Sequence, residues 1–150
     1  IFVPPNRLFV SSGYDTGSAL LEIRKVDGRF EVGEIWKARN LKNQFSSSVL
    51  LGDTLYGFDN ETFKAVDLAT GKDLWRQRGL GHGSLISADG YLIVLGEKGK
   101  LVLVEASREG YREKASVEVF DGKCWTLPTL VGNRLYLRDE KELVSLDLAA

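Results

Sequence analysis

Apolar and polar residues alternate along this chain in short runs, and the runs break at turn-forming residues. No stretch sustains the 3.6-residue spacing of a helix, so the pattern predicts strands throughout. The middle of the chain shows this best. Phe45 to Leu51 reads as one strand and Leu55 to Phe58 as the next. Asp59-Asn60-Glu61-Thr62 turns into Phe63 to Leu68, and Thr70-Gly71-Lys72 turns into Leu74 to Gln77. The following stretch repeats the plan with Ser84 to Ser87, Tyr91 to Leu95, Leu101 to Ala106 and Ala115 to Phe120. Glu97-Lys98-Gly99 and Glu109-Gly110 supply its turns.

Two marks show that this four-strand unit recurs. The first is a hairpin turn with Asn or Asp in second place, residues that tolerate left-handed backbone. It occurs at Pro5-Asn6-Arg7-Leu8, Gly52-Asp53-Thr54-Leu55, Ala88-Asp89-Gly90-Tyr91 and Gly132-Asn133-Arg134-Leu135. The fourth positions of these turns lie 47, 36 and 44 residues apart. The second mark is an acid among apolar residues, at Glu22, Asp67, Glu105 and Asp147. It follows the first mark by 14, 12, 14 and 12 residues. Consecutive four-stranded meanders at this period are the pattern of propeller blades. The expected fold is therefore all-β, a β-propeller segment of about four four-stranded antiparallel blades, near residues 1–40, 41–79, 80–121 and 122–150. The first blade has its innermost strand reduced to Ile1 to Val3, and the last lacks its outer strand, so both are incomplete. An arc of this kind leaves raw flanks. Closure into an eight-bladed ring is expected, by dimerisation or by further sequence.

Composition narrows the picture. The chain is 43% hydrophobic, which suffices for a packed interior. Twenty Lys and Arg balance 21 Asp and Glu, which argues against a nucleic-acid partner. The best apolar run, Tyr91 to Leu95, is too short to span a bilayer. The first residues lack the charged and apolar regions of a signal peptide. The absence of methionine reads as a processed product, an excised piece or an engineered fragment. A single cysteine, Cys124, excludes an intrachain disulfide and leaves the redox compartment unread.

The stretch AVDLATGKDLW at residues 65–75 resembles the repeat of the pyrroloquinoline-quinone-type (PQQ-like) β-propellers, with its alanine, acid, Thr-Gly turn and tryptophan. Residues 83–106 and 124–148 are similar to the closing blades of bacterial propellers of the BamB type. Trp36 holds the place of Trp75 in the first copy, and Val117 or Val119 holds it in the third. The resemblance implies that Trp36, Gly71 and Trp75 pack blade on blade. It also implies an extracytoplasmic setting, in the periplasm or cell envelope. Quinoprotein dehydrogenases of this group hold their quinone beside a tryptophan, often with a vicinal disulfide and a calcium ion. Cys124 has no cysteine neighbour and no D-x-D-x-D run is present, so no cofactor is expected here. PQQ and calcium enter only if the chain is a fragment of an alcohol-type dehydrogenase with catalytic residues elsewhere.

The candidate chemistry is sparse. The four recurring acids read as turn caps or as partners of neighbouring blades. His82 stands alone, without a second histidine or cysteine at metal-ligand spacing. The glycines at 79, 81 and 83 lack the helix and Lys-Ser/Thr of a phosphate loop. A Cys124 nucleophile would need His82 as its base. Position is the stronger argument. Residues leading into the innermost strands converge on a propeller's central channel, which puts Phe45, Gly81 and Trp125 at one level and Ser46, His82 and Thr126 at the next. With Asn43, Ser84 and Cys124 beside them, they form a candidate mouth for a peptide, sugar or other small ligand. The competing expectation is that Phe45 and Trp125 simply pack between blades. Together these readings predict a non-catalytic binding or scaffolding module whose partner is a second copy or the rest of a longer propeller.

Overall fold

The computed structural model describes residues 1–149, and among them there are strands and turns but no helix. Four antiparallel sheets follow one another along the chain. Blade 1 is β1 (Phe2–Val3), β2 (Arg7–Ser12), β3 (Gly17–Val26) and β4 (Arg29–Ala38). Blade 2 is β5 (Val49–Leu51), β6 (Thr54–Asp59), β7 (Thr62–Asp67) and β8 (Asp73–Gln77). Blade 3 is β9 (Ser84–Ala88), β10 (Tyr91–Leu95), β11 (Lys100–Glu105) and β12 (Glu113–Glu118). Blade 4 is β13 (Thr129–Val131), β14 (Arg134–Arg138) and β15 (Leu143–Asp147). Within each sheet the strands pair in chain order, as a meander requires.

The innermost strand of blade 1 is reduced to Phe2–Val3, as expected, whereas β3 and β4, at ten residues each, are the longest of the described strands. Two expectations need correction. The strand expected from Phe45 begins only at Val49, because residues 45–48 form a loop. The hairpin turns do not share one conformation. Asp89 (φ 48°) and Gly90 (φ 78°) are both left-handed, but in the turns at 52 and 132 the glycine takes the positive φ rather than the acid or amide after it.

There is no single core. Each pair of successive sheets encloses its own apolar cluster, since every strand alternates its side chains between two neighbours. Phe9, Leu20, Leu55 and Val66 fill the first joint. Tyr56, Phe58, Phe63, Leu85 and Leu92 fill the second. Ile93, Leu95, Phe120, Leu135 and Leu137 fill the third.

The tryptophans lock the first two joints in the same way. Trp36 donates its indole N–H to the Leu68 carbonyl of the next blade at 2.8 Å. Trp75 does the same to Ser107 at 2.7 Å, with its ring edge-on to Phe63 at 5.3 Å. Gly71 (φ 69°) lies under Trp36, and a Cβ there would approach the indole to 2.7 Å. Buried polar groups add to the first joint. The Ser18 hydroxyl donates to Asn40, and Asn40 donates to the Gly71 carbonyl and to Asp73. Lys64, itself buried, bridges Asp73 and Asp59 at 3.0 and 2.5 Å. A charge this enclosed is tolerable only with such partners.

Candidate functional site

Three loops run inward to the innermost strands, and their side chains meet. Phe45 of the loop before β5 stacks on Trp125 of the loop before β13, with centroids 4.1 Å apart and planes 14° from parallel. These residues belong to blades 2 and 4, so the stack spans the start of blade 3. His82, in the loop before β9, sits beneath it, edge-on to Phe45 at 6.0 Å. The ammonium of Lys123 lies 4.2 Å from the Trp125 centroid. Phe45 and Trp125 each remain 39% exposed, so the cluster forms a surface rather than a core.

Glu97, at the β10–β11 turn, ties the group together. Its carboxylate accepts the Trp125 indole N–H at 3.0 Å and the His82 backbone N–H at 3.1 Å. The His82 Nδ1 lies 3.5 Å from Glu97 and 3.8 Å from Glu61. Partial burial pushes the Glu97 pKa up, but the His82 N–H, the Trp125 indole and the His82 side chain outweigh it, and the carboxyl stays below its ordinary value. Gly81 (φ 59°) makes room for this contact, because a Cβ there would lie 2.5 Å from the Glu97 carboxylate. The glycine-rich run that superficially suggests a phosphate loop is explained in part by that approach.

The other expected residues fall around this cluster or away from it. Asn43 is buried and closes its own loop. Its amide nitrogen donates to the Phe58 and Leu41 carbonyls at 2.9 and 3.1 Å, and its oxygen accepts the Ser48 N–H at 2.8 Å. That closure is what turns residues 45–48 out of the sheet and frees Phe45. Ser46 lines a separate recess of about 520 Å³ with Ile1, Ser11 and Tyr14. Ser84 is buried and donates to the Thr126 carbonyl at 3.2 Å, joining the inner edges of blades 3 and 4. Cys124 has no exposed surface, and burial, with the Asp139 charge, pushes its thiol up to about 11. It lies in the apolar cluster of the third joint and not in the mouth, so a thiolate nucleophile there is not available.

Beside the cluster runs a groove of about 890 Å³, lined by Lys42, Glu61, Arg78, His82, Glu97 and Lys98 among others. It carries both signs of charge. Sequence reasoning missed Glu97 and Glu61, which read as ordinary turn acids. Only pairing of β9 with β10 brings Glu97 back beside His82, fifteen residues earlier. Among the described residues no three His, Cys, Asp or Glu side chains are grouped so as to hold a metal ion.

Comparison with known proteins agrees with this architecture. The crystal structure of BamB from Moraxella catarrhalis superposes with a TM-score of 0.61 at 16% identity, over 92% of this chain and 45% of that one. The crystal structure of the computationally designed Ika8 protein gives 0.60 at 9% identity, over 93% and 44%. At such identities the likeness is one of fold, and the chain spans less than half the length of either. Among curated proteins none matches the sequence. A family model described as outer membrane protein assembly factor BamB matches residues 59–149, from the end of β6 through blade 4. With most of its length inside that match, the chain belongs to the BamB family of PQQ-like β-propeller proteins.

Proposed function

We propose that the chain is a non-catalytic binding module of an extracytoplasmic propeller, and that it takes an extended peptide at the mouth formed by Phe45, His82 and Trp125. The observation that carries this is the convergence of three loops from three blades on one exposed aromatic surface. The groove alongside offers cations and carboxylates together, which suits a backbone rich in donors and acceptors better than a ligand of one charge. The description of the family as an assembly factor for outer membrane proteins fits the same setting.

Redox chemistry with a bound quinone is disfavoured by the residues themselves. Phe45 covers one face of Trp125 and the Lys123 ammonium lies over the ring as well, which leaves poor space for a stacked quinone. Glu97, the acid that touches both His82 and Trp125, is held below its ordinary pKa, the opposite of the upward shift that suits a carboxylate general base.

The test uses a fluorescein-labelled library of random decapeptides in a fluorescence-polarisation assay. Wild-type protein should retain a subset, and Phe45→Ala and His82→Ala should each weaken retention at least tenfold. Alcohol-dependent dye reduction after addition of PQQ and calcium would contradict the proposal, as would failure to retain any peptide.

A further inference from the structure

We infer that the groove beside the mouth seats a carboxylate of the bound peptide on Arg78 and Lys98, so that the site selects acidic peptides over neutral ones. The inference rests on the peptide-binding reading of the mouth and names its ligand class.

Three segments from the interior of the chain build most of this groove. The linker from β8 to β9 supplies Arg78, Gly79 and His82. The β6–β7 turn supplies Glu61, and the β10–β11 turn supplies Glu97 and Lys98. At about 890 Å³ the groove has the size of a ligand site. His82 and Glu97 belong to it and to the mouth alike, His82 edge-on to Phe45 and Glu97 accepting the Trp125 indole N–H. A chain that lies on the stack of Phe45 and Trp125 therefore continues into the groove.

The walls carry both signs of charge, but their carboxylates are already engaged. Asp59 holds the Lys64 ammonium at 2.5 Å and that of Lys42 at 3.5 Å. Glu97 accepts the N–H groups of the Trp125 indole and the His82 backbone. Glu61 faces the His82 Nδ1 at 3.8 Å. Of the four Lys and Arg side chains in the lining, Lys42 is paired with Asp59, and Lys100 with Glu113 at 3.5 Å. The other two, Arg78 and Lys98, are exposed and have no carboxylate partner among the described residues. The groove thus offers a ligand two free cations, against acids that have partners inside the molecule. A concave surface concentrates such a field, and a guanidinium takes a carboxylate through two parallel N–H donors. Beside Arg78, Gly79 has φ 98° and a Cβ there would meet nothing within 4 Å, so that wall is open to an approaching chain. A peptide with one acidic residue meets both features, its backbone bonding to the mixed walls and its carboxylate to the two cations they leave over.

Fluorescence polarisation on the full chain tests this with three pools of decapeptides, each labelled with fluorescein at the N-terminus. The first has Glu fixed at a central position and an amidated C-terminus. The second lacks acids and is amidated, and the third lacks acids and keeps a free C-terminus. Wild-type protein should bind the first pool at least tenfold more tightly than the second, and added salt should shrink that preference. The third pool separates the sources of the carboxylate. Binding like the first supports a seat for any carboxylate, and binding like the second supports one for side chains. Arg78→Ala with Lys98→Ala should abolish the preference and leave binding of the second pool unchanged. Lys37→Ala with Lys72→Ala removes the same charge from exposed positions outside the groove and should keep it. Equal binding of the first two pools by wild type, or equal loss of preference in both double variants, would overturn the inference. Equal binding leaves the peptide-binding module standing, whereas failure to bind any pool overturns that reading.

Discussion

Gly71 answers to two constraints, and the sequence revealed one of them. Its positive φ follows from the Thr-Gly turn, but the indole of Trp36 resting on it belongs to another blade and leaves no local trace. Asp67 has a similar double role. It caps the turn by accepting the Thr70 N–H and hydroxyl at 2.9 and 2.8 Å, and it pairs with Arg108 of blade 3 at 2.6 Å. Of the four recurring acids it best combines the two roles expected of them; Glu105 pairs with Arg112 and Lys114 inside its own blade. The Arg108 hydrogen bond, then those of Thr70, hold the Asp67 carboxyl below the usual carboxylate range. A depressed folded pKa stabilises the fold above the unfolded value, and that stability is lost as pH falls below about 4. Asp67→Asn should therefore lower the urea midpoint at pH 6 and narrow its difference from wild type toward pH 3. An unchanged midpoint at pH 6 would show that the bridge between blades contributes nothing.

Elements were more legible than single contacts. Strand alternation and turn residues located the four meanders, and most boundaries fall within two residues of those expected. The exception is instructive. The run from Phe45 to Ser48 looks like strand because it is aromatic and hydroxyl-rich, but the buried amide of Asn43 satisfies the backbone there and bends it into a loop. Local propensity lost to one side chain's hydrogen bonds. The joints between elements are built unequally. Trp75 is 9% exposed and bonded across the second joint, while all six residues of β12 are exposed. Trp75→Ala should cost about 3–5 kcal/mol in denaturant unfolding, the range for deleting a buried indole. Val117→Ala, on β12, should stay within about 0.5 kcal/mol. Equal effects of the two would contradict the tryptophan lock.

At the scale of the whole molecule, the repeat period disclosed the architecture and the order of the blades. The candidate mouth was legible only in part. Counting back from the turn marks placed Phe45 and Trp125 at one level with Gly81, and His82 at the next, because equivalent points of successive blades converge near the axis. Glu97, which binds two of them, could not be found this way, since its turn is set apart from the inner strands in sequence. The contact that most depends on the arc is the stack of Phe45 on Trp125, from blades that are not neighbours. A double-mutant cycle on Phe45→Ala and Trp125→Ala, read by chemical denaturation, measures it directly. Curved stacking of the blades predicts a coupling of about 0.5–1.5 kcal/mol between these residues. Strictly additive effects would mean that blades 2 and 4 do not meet across blade 3, and the arc would be contradicted.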